Sequence, residues 1–225
     1  YDYYFFTPYD YDRTSDKETI YGVAGISVWN YYGLPTNSRQ SSAGISPTQE
    51  LIDSYETADG HPILKKTRDG KYYKDDSHLQ PNFNEAAGYD DQNPYENRDP
   101  RFYQSVYFNG AQRHWDDPDE LVKIYDNAPR DSSCAIDKTT IRNTRTGYYM
   151  RKYDKHTSSY ETPVTGYVRR FRLAELYLNF AEAANEAYGP TQQVEGYSGQ
   201  ASMSAVEAVN AVRTRADMPN VRDEY

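Results

Sequence analysis

Arg172-Leu173-Ala174-Glu175-Leu176-Tyr177-Leu178, continuing through Ala181-Glu182-Ala183-Ala184-Asn185-Glu186, is followed by Ala208-Val209-Asn210-Ala211-Val212-Arg213-Thr214-Arg215-Ala216 and Met218-Pro219. These blocks within residues 167–219 decide the fold. In the first, Phe171, Ala174, Leu178 and Ala181 recur at helical spacing, and Leu173, Tyr177, Phe180 and Ala184 widen the stripe. The pattern predicts a helix over Val168–Tyr188, broad enough to pack on two sides. Gly189-Pro190 stops it. The second block predicts a helix over 202–216 with Val206, Val209 and Val212 buried. The two are expected to lie antiparallel, burying Leu178, Ala181, Val209 and Val212. A helix hairpin with small residues at its contact is the unit of a tetratricopeptide-like array, but no second copy recurs at a fixed period.

Working outward, Ser46-Pro47-Thr48-Gln49 reads as a helix start, with Ser46 as cap, Pro47 in the first turn and Gln49 closing a capping box. Leu51, Ile52 and Tyr55 supply its apolar stripe, and Asp59-Gly60 its end. Thr19–Val23 is short and β-branched, a strand or buried extended segment. Phe102–Asn109 and Gly147–Tyr153 are predicted strands on the same grounds. Residues 29–46 carry loop chemistry, 61–97 a long polar excursion, and 111–146 a loop with a helical turn at 118–125.

The chain has 225 residues, 25 of them tyrosine, with a net charge of -9. Its mean hydropathy of -1.00 would suit a disordered chain. The tyrosines argue otherwise, because a phenol can fill a core while its hydroxyl finds a partner. The acidic balance disfavours nucleic acid, whose phosphates need clustered Lys and Arg. No window approaches a bilayer-spanning length, and residue 1 opens no signal peptide. The single Cys134 fits neither a metal site nor a redox pair.

Five segments in order carry a family likeness. They are Lys17–Tyr21, Pro47–Tyr55 with Asp59-Gly60, Pro94–Phe102 with its Asn97-Arg98-Asp99-Pro100-Arg101 core, Thr146–Tyr153, and the helix pair. Together they resemble the SusD/RagB family of cell-surface nutrient-binding lipoproteins. One departure is Asp217, where the family usually has Gly; Asp tolerates left-handed geometry, so the helix end should survive. The resemblance implies a mainly α, tetratricopeptide-like SusD fold, an α-α superhelix with long irregular loops and a minor β element. It implies that residues 1–225 are part of one such domain, truncated at both ends. It also implies a glycan-binding protein at the extracellular face of the outer membrane, held by a lipid anchor not present in this chain. Such a protein would hand oligosaccharide to a SusC-like TonB-dependent transporter. The alternatives are a peptide-binding RagB-like uptake protein, an α-helical glycan hydrolase, or a structural subunit.

No cofactor, metal or catalytic residue is expected. Acidic residues are too abundant to single out a hydrolytic pair, and His61, His78, His114 and His156 lack zinc-ligand spacing. Asp75-Asp76 and Asp116-Asp117-Pro118-Asp119 could ligate calcium, though solvated acidic loops are the commoner case. Arg98, Asp99 and Arg101 read as scaffolding, holding backbone at a loop junction. A sugar ring offers an apolar C–H face and a polar rim, which flat aromatics with amides and carboxylates suit. The candidate ligand contacts are therefore Trp29, Asn30, Tyr31 and Tyr32 in one loop, Tyr72 and Tyr73 in the polar excursion, and Arg113, Trp115 and Asp116 after Gly110.

Overall fold

The structure is a computed structural model and describes residues 16–26, 45–114, 117–125, 144–152 and 166–223. Strand β1 (Thr19–Ile26) confirms the β-branched reading and extends it. Its partner is the first correction. Val168–Arg172, expected to open the long helix, instead belongs to a strand, Gly166–Arg172, antiparallel to β1, with Thr19 opposite Arg172 and Gly22 opposite Arg169. Val168, Tyr167 and Phe171 suit a strand as well as a helix, and pairing across some 150 residues decides between them. Ion pairs fasten the same edge. Arg172 Nη1 donates to Glu18 Oε1 at 2.6 Å, and Arg169 Nε lies 3.5 Å from Asp16 Oδ2.

The chain then turns directly into the helix Leu173–Tyr188, closed by Gly189 at φ +86°. The returning helix runs over Ala205–Arg215, later than the expected 202, because Ser204 and Glu207 form the capping box at its start. Ala181 and Ala184 of the first helix pack on Ala205 and Ala208 of the second, with Tyr177, Phe180 and Val209 at the margins. The far ends meet too: Ala174 and Leu178 share a cleft with Val212 and Ala216. The hairpin is therefore antiparallel, as expected, and Ala181 is 5% exposed. Leu178 is not buried; at 46% exposure it sits on the flank of the alanine contact and lines the cleft. Val206, Val209 and Val212 are half-buried. Asp217 adopts φ +56°, and Met218 N donates to Arg213 O at 3.0 Å, a left-handed closure of the kind glycine usually makes.

The helix at Pro47 exists but is short. Helix α1 (Gln49–Asp53) is capped by Thr48, whose hydroxyl accepts from Leu51 N, so the cap is Thr48 rather than Ser46. It ends at Ser54, well before Asp59-Gly60. Those two make a separate turn in which Gly60 (φ +78°) lies under Pro219; an added Cβ would stand 2.7 Å from Pro219 Cγ. The first half of the predicted strand Phe102–Asn109 belongs instead to helix α2 (Pro100–Ser105), with only Val106–Tyr107 remaining as β2. Asp99 caps it and Pro100 takes its first position, a start signal that outweighs the aromatic run behind it. β2 pairs with β5 (Tyr149–Met150), the strand found among the described residues of the expected 147–153. Between them, β3 (Gln112–His114) and β4 (Asp117–Leu121) form a hairpin where a helical turn at 118–125 was expected.

In chain order, Gly166–Arg172 is β6, Leu173–Tyr188 is α3 and Ala205–Arg215 is α4. The described residues thus mix one hairpin of longer helices with short helices and three two-stranded sheets. No superhelix of stacked hairpins is among them. Residues 61–97, expected as a surface excursion, carry a small core of Ile63, Leu64 and Tyr73, flanked by Phe83 and Tyr89. Lys65 N donates to Asn82 O and Asn82 N to Tyr72 O, so three extended segments are tied together without regular strands.

Candidate functional site

Arg98 anchors the ground on which the site stands. Its guanidinium, 1% exposed, donates to the carbonyls of Ile52, Tyr55 and Pro94 at 2.7, 3.1 and 2.8 Å. Ile52 O, in the last turn of α1, also accepts from Tyr55 N at 3.3 Å, and Tyr55 directly follows the C-cap Ser54, so the cation stands at the negative end of the helix. Burial lowers the pKa of Arg98, offset only in part by nearby Tyr89 and Asp53. Asp99 accepts from Arg101 N at 2.8 Å while Arg101 Nε donates back to it at 3.0 Å. This trio is scaffolding, as the sequence suggested.

With its end fixed, α1 presents Gln49, Glu50 and Asp53 to the segment 72–79. Tyr73 Oη donates to Asp53 Oδ2 at 2.7 Å, and Gln49 Nε2 donates to Asp53 Oδ1 at 2.7 Å. Gln49 Oε1 in turn accepts from Tyr148 Oη at 3.1 Å. Burial first, and the bond to Asp53 second, push the Tyr73 phenol well above its ordinary pKa. Tyr73 is buried and Tyr72, its neighbour in an extended segment, is exposed, with Lys66 Nζ 5.8 Å from its ring centroid.

Sequence reading missed His78. Its ring stacks on Tyr73 with centroids 4.5 Å apart and planes 1° from parallel. Its Nδ1 donates to Glu50 Oε1 at 2.9 Å, and that bond is the main reason the Glu50 carboxyl sits below its usual pKa. The residue reaches this position at φ +59°, a left-handed backbone that costs energy for a side chain. Asp75 turns the chain there by accepting from Ser77 N at 2.9 Å. No motif flags such a histidine, because its stacking partner and its carboxylate come from five and twenty-eight residues away.

Of the expected ligand contacts, the structure brings Tyr72 and Tyr73 to this face and buries Tyr73. Arg113 lies in β3. Trp29, Asn30, Tyr31, Tyr32, Trp115 and Asp116 fall outside the described residues. Asp75 and Asp76 are engaged by Ser77 and by Lys71 respectively.

Two clefts also open among the described residues. One, of about 550 Å³, opens where α1, α2, α3 and α4 converge, among Leu51, Tyr55, Lys152, Arg172, Leu178 and Val212. Burial, then the neighbouring Arg172, lowers the Lys152 pKa. The other, of about 580 Å³, is shallower and lies between Asp59, His61, Ala87, Asn97 and Pro219.

This face thus carries the stacked Tyr73–His78 pair, edged by the Glu50 and Asp53 carboxylates and the Gln49 amide. The chain belongs to the SusD family, whose sequence model matches residues 3–225. A SusD-like protein from Bacteroides fragilis NCTC 9343 is 25% identical, with a TM-score of 0.59 over 94% of this chain. A SusD-like carbohydrate binding protein from the same organism is also 25% identical, with a TM-score of 0.59 over 93% of the chain. The chain spans 38% and 36% of those two proteins, a little over a third of their length. A search of curated proteins finds no match.

Proposed function

We propose that this chain is part of a surface protein that captures oligosaccharide and passes it, uncleaved, to a SusC-like TonB-dependent transporter. Family membership over nearly the whole chain carries the reading, and the structural likeness to a carbohydrate binding protein supports it. In this reading residues 1–225 belong to one SusD-like domain whose tetratricopeptide-like superhelix is completed by the rest of the protein. The protein sits at the extracellular face of the outer membrane on a lipid anchor. Trp29, Trp115 and Tyr72 are its aromatic contacts, and Asn30, Tyr31, Tyr32, Arg113 and Asp116 read hydroxyls at the sugar rim. Tyr73 serves from behind, as a buried support.

Calorimetric titration of oligosaccharides into the protein and its Trp29→Ala and Trp115→Ala variants tests this, with thermal unfolding in parallel. Loss of a stacking anchor should weaken binding by about 2 kcal/mol, roughly thirty-fold. If both variants melt lower yet bind unchanged, the tryptophans are packing residues and the contacts lie elsewhere.

A further inference from the structure

We infer that the His78 imidazole is a stacking platform for a neutral oligosaccharide, with Glu50 Oε2 and His78 Nε2 reading hydroxyls at the edge of the sugar ring. The inference rests on the glycan-capture reading and names the ligand class and a contact that reading leaves open.

Stacking on Tyr73 occupies one face of the imidazole, and about half of the side chain remains exposed. The ring is therefore a flat surface at solvent, backed by a second aromatic ring that stops it tilting. Its orientation is fixed twice, by the stack and by the bond to Glu50. A surface histidine kept in a left-handed backbone, where a glycine would be less strained, is the kind of local cost that persists where the side chain is used.

The hydrogen-bond inventory fits sugar hydroxyls. With Nδ1 bonded to Glu50, the second ring nitrogen, Nε2, is left for a ligand, and a sugar hydroxyl can either donate to it or accept from it. Glu50 keeps a second carboxylate oxygen, and its side chain is half-exposed. Beside the ring, Leu79 projects almost fully into solvent at 83% exposure and extends the apolar surface. The two carboxylates at this face, Glu50 and Asp53, and the net charge of -9 repel uronate or sulfate groups. The ligand class is therefore neutral.

The test is an array carrying maltohexaose, xylohexaose, mannohexaose and hexagalacturonate, probed with the protein and its His78→Ala, His78→Phe and Glu50→Gln variants. Circular dichroism melting of each variant checks the fold. The expected result is retention of at least one neutral hexaose, weakened about ten-fold or more by His78→Ala and by less in His78→Phe, which keeps a flat ring. Unchanged affinity in His78→Ala overturns the platform and leaves glycan capture standing. Preference for hexagalacturonate overturns the neutral class. Retention of none of the four overturns both this inference and the capture reading on which it rests.

Discussion

Replacing Arg98 by methionine removes the group that closes α1 and ties it to the Asn97–Arg101 turn. Three carbonyls lose their donor at once, those of Ile52, Tyr55 and Pro94. Each charge-assisted bond lost in a buried setting costs about 1.5 kcal/mol. The guanidinium also lies 4.9 Å from the Phe102 ring centroid and 5.4 Å from that of Tyr89, worth about 1 kcal/mol together. Against this, methionine fills much of the volume and relieves the desolvation of a buried cation, an offset of roughly 2 kcal/mol. The net loss is about 3.5 kcal/mol, which for a chain of this size lowers Tm by roughly 7–14 °C. Arg98→Lys should fall between, since an ammonium cannot span three acceptors on two segments. Urea titration followed by circular dichroism measures both. A loss below about 1 kcal/mol for Arg98→Met would mean that the carbonyls find other donors and that Arg98 does not organise α1.

The alanine contact of α3 and α4 should reject bulk: Ala181→Leu should cost about 1–3 kcal/mol by denaturant titration, and a neutral result would contradict the packing. Tyr73→Phe should lose about 1 kcal/mol at neutral pH with its bond to Asp53. Because the folded phenol titrates above the unfolded value of about 10, the Tyr73 contribution is complete below that pH and falls as pH rises through it. Melting curves from pH 8 to 11 should therefore show the wild type losing stability faster than Tyr73→Phe; parallel curves would remove the shifted phenol from the account.

The helix pair was legible because its alanines and valines repeat at one spacing over many residues and both helices carry strong stop signals. Its first five residues were not, since Val168–Arg172 fits strand and helix alike and its partner lies near residue 20. The Asn97–Arg101 segment shows the opposite error. Asp99-Pro100 is a legible helix start, and it outweighs the aromatic run behind it. Aromatics in a polar loop look alike in sequence, yet Tyr72 faces water while Tyr73 closes a core, a choice made by alternation along an extended segment. His78 was illegible because stacking and ion pairing across the fold leave no local pattern.

The central claim is capture without cleavage. Isothermal titration of the purified protein with the oligosaccharide it binds, followed by mass analysis of the sugar recovered after prolonged incubation, tests it most directly. The account predicts saturable binding and recovery of the sugar at its original length. Shortened products accumulating with time, lost on changing a carboxylate pair, would contradict it.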